Sequence, residues 1–348
     1  MKIVCWIPKV YGGTGLYRIR MPHELLDCEV VFTDSTLYPD LLGDILFVSK
    51  AYFMAVMPEL SRLKKAGVKT IIDYDDYWSL PQDHILYPMY RKNGTTKILI
   101  DALREFDYVT TTTELLAKEI RKINPRCEVF ENAINPVLEQ IKPEPQKSDK
   151  VRFGWIGGHC HLPDIKLLEE APERLSATEK DWEIYLFGHD GMKGSPYDQF
   201  ADILCNHGKT IDHLKVFRKA SVETYTRFYN LIDACLVPLT DNKFNNLKSE
   251  LKMVEAAFYK KALIISNVYP YKQWITPKNS LSCDNKTDWV KNMKRCMDKS
   301  LREDLGNQLF EDLHERFDLR VVNKRRIEFY DYVNSTPHSK PCSGISKP

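Results

Sequence analysis

The stretch KSELKMVEAAFYKKALIIS, residues 248–266, carries the residue types needed to hold a phosphorylated leaving group. On a helix of about 3.6 residues per turn, Lys248, Lys252 and Glu255 fall on one narrow polar stripe beside an apolar stripe of Leu251, Val254 and Phe258. A lysine at a helix start opposes the macrodipole and costs a few tenths of a kcal/mol unless an anion sits beside it. A phosphate reverses that penalty, because it gains the ammonium and the free N–H groups together. Lys248 and Lys252 are therefore candidates to stabilise a departing diphosphate, with Ser249 as a further donor-side contact. Glu255, two turns further in, is placed to accept hydrogen bonds from a ribose diol. The same pattern also suits a solvated helix face with charges spaced i,i+4.

Two glycine loops follow apolar runs. In VRFGWIGGHCHLPDIKLL (151–168), Gly157 and Gly158 let the backbone approach an anion at a helix start, and His159 and His161 could hydrogen bond phosphates or simply cap the loop. In PKVYGGTGLYRIRMPHELL (8–26), Gly12, Gly13 and Gly15 allow N–H groups to approach a sugar or phosphate, with Arg18 and Arg20 adding positive charge. This G-G-x-G spacing is not the G-x-G-x-x-G dinucleotide fingerprint, which disfavours NAD chemistry. A fourth stretch, IIDYDDYWSLPQDH, places Asp73, Asp75 and Asp76 at the end of an apolar run, followed by Tyr77 and Trp78. Asp73-x-Asp75 has the D-x-D form that suits Mg2+ or Mn2+, and it equally suits a strand-end turn; no metal ligand is assigned.

The elements that must position these residues alternate along the chain. Six short runs rich in β-branched and aromatic residues (2–8, 28–34, 44–50, 68–74, 107–113, 127–133) alternate with amphipathic stretches. Residues 136–150, PVLEQIKPEPQKSDK, have three prolines and read as a linker. The alternation restarts at 151–158, 182–188, 214–217, 234–240 and 262–267, and from about 287 to 333 only helices are expected. The expectation is α/β: two Rossmann-like domains, 1–135 and 151–333, facing each other across a cleft, with a disordered tail at 334–348.

Composition excludes several classes. The formal charge of +2, from 50 basic and 48 acidic residues, provides no global field for nucleic acid or anionic lipid. Nine cysteines without a CxxC pair argue against a zinc site or disulfide framework and suit a reducing compartment. There is no Walker A sequence, no G-x-S-x-G elbow, no secretory h-region and no run of eighteen apolar residues, so a cytoplasmic protein without an integral membrane segment is expected.

The 248–266 block resembles the KS.LK..EA....G.PVI.S signature in the carboxyl-terminal domain of family 4 glycosyltransferases of the GT-B fold, particularly bacterial and phage members. The chain departs from that pattern at Leu247, where the commoner form has a first glutamate, and at Lys260 or Lys261, where it has glycine. The glycine loops and YRIRMPHELL are similar to the same family. The resemblance implies a retaining transferase, with a nucleotide sugar bound by Gly157, Gly158, His159, His161, Lys248, Ser249, Glu255, Gly12 and Gly13, and no cofactor or metal required. It implies catalytic roles for Lys248, Lys252, Asp75 and Asp76, and an acceptor held on the first domain by Arg18, Arg20, Asp73, Tyr77 and Trp78. That acceptor would be a saccharide or a lipid-linked glycan. One alternative is a hydroxylated, flipped DNA base approached over a basic track at 91–97, 121–126 and Arg18/Arg20. The other is a nucleotide-sugar-binding protein without transfer activity.

Overall fold

In a computed structural model, residues 1–137 and 141–337 are described. The first domain contributes β1 (Lys2–Trp6), β2 (Glu29–Thr33), β3 (Ile45–Ser49), β4 (Lys69–Tyr74), β5 (Tyr108–Thr111) and β6 (Cys127–Val129). The second contributes β7 (Val151–Ile156), β8 (Trp182–His189), β9 (Leu214–Arg218), β10 (Ala234–Val237), β11 (Ala262–Ser266) and β12 (Leu281–Cys283). Each set forms a six-stranded sheet, in the orders β2-β1-β3-β4-β5-β6 and β12-β11-β10-β7-β8-β9. All pairings are parallel. Parallel strands need both faces covered, which is why the central ones read as continuous buried runs: ILFVS in β3, VRFGWI in β7, ALIIS in β11. Arg152 is tolerated inside β7 because Asp233 takes its backbone N–H and its guanidinium together. The two Rossmann-like domains expected from the alternation are present.

Three local expectations change. The helix expected from Lys248 is Leu251–Phe258, with Glu250 at its N-cap, so Lys248 lies in the preceding loop and Lys252 in the first turn. Strand β12 interrupts nothing apolar enough to signal it: Leu281 and Cys283 are buried around an exposed Ser282, three residues at a sheet edge. Residues 334 and 335, expected in a disordered tail, belong to the helix Leu319–Ser335; the rest of that expectation, from 338, lies outside the described residues.

That last helix packs on the first sheet although it follows the second domain in sequence. Tyr330 and Val333 join the cluster of Ile3, Cys5, Ile45, Phe47 and Ile71. The Tyr330 hydroxyl meets His23 Nε2 at 2.8 Å, and Asn323 Nδ2 donates to the Pro22 carbonyl at 2.7 Å. Among the described residues no helix is long and apolar enough to cross a membrane.

Candidate functional site

The carboxyl ends of both sheets open onto one cavity of about 720 Å³. Gly12, Gly13 and Tyr17 line it from the first domain; Gly157, Gly158, His159, Lys252 and Glu255 line it from the second. β7 ends at Ile156, so Gly157 and Gly158 make the turn at its tip. A Cβ on Gly157 would fall 2.6 Å from the Trp155 ring and 2.8 Å from Lys252 Nζ, so only glycine lets the backbone pass between them. The Tyr197 hydroxyl fixes the turn by donating to the Gly157 carbonyl at 2.7 Å.

Lys252 holds its ammonium 5.0 Å from the centre of the Trp155 ring, and among the described residues it has no carboxylate partner. Burial and then the nearby Lys248 charge push its pKa down to about 8. A phosphate at the Gly157 turn would supply the missing counter-charge. Lys248 projects over the Phe244 ring at 4.9 Å and lines a small adjoining pocket with His84, Cys160 and Asp164.

Glu255 is 2% exposed and accepts from Tyr17 at 2.8 Å, from Tyr229 at 3.0 Å and from Tyr225. Burial pushes its carboxyl up, and the three hydroxyls oppose that shift. Tyr17 belongs to the first domain, so this cage is also a contact between the domains. A ribose diol would have to exchange with Tyr17 or Tyr225, both of which line the cavity.

Several sequence-expected residues lie elsewhere. Arg18 and Asp73 are buried as a pair: Nε and Nη2 meet the carboxylate at 3.0 and 2.8 Å. The remaining Arg18 donors go to Phe130 O, Asn132 Oδ1 and Thr111 O, and Thr110 donates to Asp73. Neither residue is free for an acceptor. Ser249, expected on the donor, instead accepts from Asn132 Nδ2 at 2.8 Å, extending the Arg18 network into the second domain. Arg20 pairs with Glu24 and covers the Phe32 ring, away from the cavity. Trp78 is buried in the first-domain core against Tyr74 and Tyr77, with no ring face left for a sugar. Tyr77 is half-buried, and Lys243 of the second domain sits 4.8 Å from its ring centre. His161 does not line the cavity: its Nδ1 meets Asp164 at 2.7 Å, and burial, then Lys252 and Lys248, hold its pKa down to about 3, so it donates as a neutral ring. Asp164 in turn accepts from Thr240 N and Asn245, anchoring the loop after β10.

Asp75 is tied to the glycine loop, accepting from the Thr14 hydroxyl at 2.5 Å, and Lys50 Nζ lies 3.2 Å away. Burial raises its pKa, but the Lys50 charge and the Thr14 bond outweigh burial and keep it ionised below the usual range. Asp76 is 3.9 Å from the same ammonium. Sequence reasoning missed Lys50, Thr14, Tyr17 and the Tyr225/Tyr229 pair. Tyr17 opens the YRIRMPHELL stretch, though that stretch assigns it no role, and Tyr225 and Tyr229 had a signal in two tyrosines four apart in TYTRFYNL.

No family model matches the chain, and no curated protein matches it in sequence. Solved structures do match. A glycosyltransferase from Rickettsia africae superposes with a TM-score of 0.65 at 11% identity, over 97% of this chain and 99% of that one. Anabaena HepE in complex with UDP-glucose gives 0.68 at 12% identity, over 95% and 100%. Sucrose-phosphate synthase from Thermosynechococcus elongatus gives 0.62 at 11% identity, over 83% and 73%. The chain has the GT-B fold. The GT-B cleft is thus the cavity described above, between the Gly12/Gly13 loop and the Gly157/Gly158 turn.

Proposed function

We propose that this protein is a glycosyltransferase that moves a sugar from a nucleotide-diphosphate donor, held by the second domain, to an acceptor presented by the first. The observation that carries this is Lys252, a cation without a carboxylate partner among the described residues, beside a glycine turn that only a Cβ-free residue can make. The diphosphate lies against the Gly157/Gly158 turn with Lys252 and Lys248 on its flank. As the glycosidic bond breaks, the leaving diphosphate gains negative charge, and preorganised cations lower that barrier more than they tighten ground-state binding. The Phe187, Val222 and Phe228 side of the cavity takes the apolar part of the nucleotide. Retention at the anomeric carbon and independence from a metal are part of the proposal, by resemblance to family 4. The complex of HepE with UDP-glucose supports a nucleotide sugar as the ligand class.

Transfer is favoured over binding alone because the first-domain glycine loop, Gly12 and Gly13, lines the same cavity as the donor side, and Thr14 next to it bonds Asp75 of the acidic cluster. A saccharide or lipid-linked acceptor is favoured over a DNA base, since burial of Arg18 removes one cation from the basic track that DNA would need. The test is a panel of sugar nucleotides, with and without EDTA, read by thermal shift and by release of nucleotide diphosphate. Stabilisation by one donor, lost in Lys252→Ala and indifferent to EDTA, supports the proposal. No stabilisation by any donor refutes it.

A further inference from the structure

At the amino-terminal edge of the second sheet, the edge opposite the cleft, lies a separate cavity of about 360 Å³. Lys260 and Lys261 form the corner between the helix Leu251–Phe258 and β11, and Lys299 and Arg302 face them from the first turn of the helix Lys299–Leu313. The two segments touch closely. A Cβ on Gly306 would fall 2.2 Å from the Lys260 carbonyl oxygen, so glycine is what lets that helix lie on the corner. Lys260 itself has φ +51°, a left-handed conformation that glycine adopts without strain.

The decisive group is Lys261. It is 7% exposed, and among the described residues no acidic side chain pairs with its ammonium. The acid that acts on it through space, Asp233, is spent on Arg152, which it meets through Nε at 2.9 Å and Nη2 at 3.0 Å. Glu303 sits against Lys299 at 3.6 Å. Burial accordingly pushes the Lys261 pKa down to about 8. The end of the helix Lys299–Leu313 is already capped by Asp298, which accepts from Ser300 and Leu301, so any anion preference here comes from side chains. Buried cations are normally paired; the two carboxylates that also line this cavity, Asp233 and Glu303, are engaged by Arg152 and Lys299, and neither pairs with Lys261. The other wall, Phe258, Tyr259, Pro143 and Pro145, is apolar.

We propose that this cavity binds a small phosphate ester, its phosphate held by Lys261 with Lys260 and Lys299, and its organic part lying against Phe258, Tyr259 and Pro143. The four cations that line the cavity, Lys260, Lys261, Lys299 and Arg302, outnumber its two carboxylates, Asp233 and Glu303, and leave net positive charge for a phosphate. The ligand would also touch the interdomain linker, which is fastened here: Asn230 accepts from Glu144 N at 2.7 Å and donates to the Lys142 carbonyl at 2.9 Å. The site does not depend on the chain being a transferase.

The test is calorimetric titration with phenyl phosphate and with inorganic phosphate at matched ionic strength, using full-length Lys252→Ala protein to remove phosphate binding in the cleft. Phenyl phosphate should bind that protein more tightly than inorganic phosphate. Adding Lys261→Met should weaken it about tenfold or more, and the exposed Lys299→Glu should weaken it as well without touching the core. No binding to the Lys252→Ala protein overturns the proposal, as does unchanged affinity after Lys261→Met or Lys299→Glu.

Discussion

With the diphosphate placed as proposed, Lys252 makes donor binding a titration. Its pKa is held down to about 8 by burial and by Lys248, and an adjacent diphosphate would return it towards the ordinary lysine range. The protonated form is the one that binds, so affinity is fully present below the free-protein pKa and is lost as pH rises through it. With a free value of about 8, the dissociation constant of the nucleotide sugar should rise about tenfold between pH 7 and pH 9, or about 1.4 kcal/mol. The diphosphate diester of a nucleotide sugar has no proton to lose in this window, so the slope belongs to the protein. Glu250 titrates in the same range, because burial pushes its carboxyl up to about 8, and a variant must therefore assign the slope. Calorimetric titration across this range should give the tenfold change for the native chain and a flat, weaker profile for Lys252→Met. An equal slope in the variant, or none in the native chain, would refute the placement of the diphosphate beside Lys252.

Tyr225→Phe removes one of the hydroxyls on Glu255; thermal stability should fall by about 1–2 kcal/mol while donor KM drops, and an unchanged KM would mean that ribose does not use this carboxylate. Arg18→Met leaves Asp73 charged and buried, which should cost about 3–5 kcal/mol in chemical denaturation; adding Asp73→Asn should restore part of it. Trp78→Ala should cost about 3–5 kcal/mol with donor and acceptor KM unmoved, whereas a raised acceptor KM would return Trp78 to a sugar-stacking role.

The architecture was legible because parallel strands carry their own signature: β3, β7 and β11 are buried at every position, so their apolar runs stand out from the helices between them. The glycine turn was legible too, since Gly157 and Gly158 follow such a run directly. What could not be seen was which polar residues point inward. Arg18 and Asp73 are 55 positions apart and cancel each other in the core, and a one-dimensional pattern shows only two charges near a loop. Tyr17 and Glu255, 238 positions apart, meet only because the domains close on one another. Lys248 was placed inside a helix because the apolar stripe alone does not mark its start, and Glu250 at the N-cap position makes no side-chain cap that would.

The helix Leu319–Ser335 gives the chain an unusual order of assembly. The face of the first sheet formed by Ile3, Cys5, Phe47 and Ile71 is synthesised early, yet its cover, Tyr330 and Val333, arrives about 250 residues after β4. During synthesis that face stays open while the whole second domain is being made. The first domain therefore finishes folding last, and a stop at residue 318 would uncover that early-made face and also take Leu319 and Val322 from the cluster around Val254, Leu313 and Phe317.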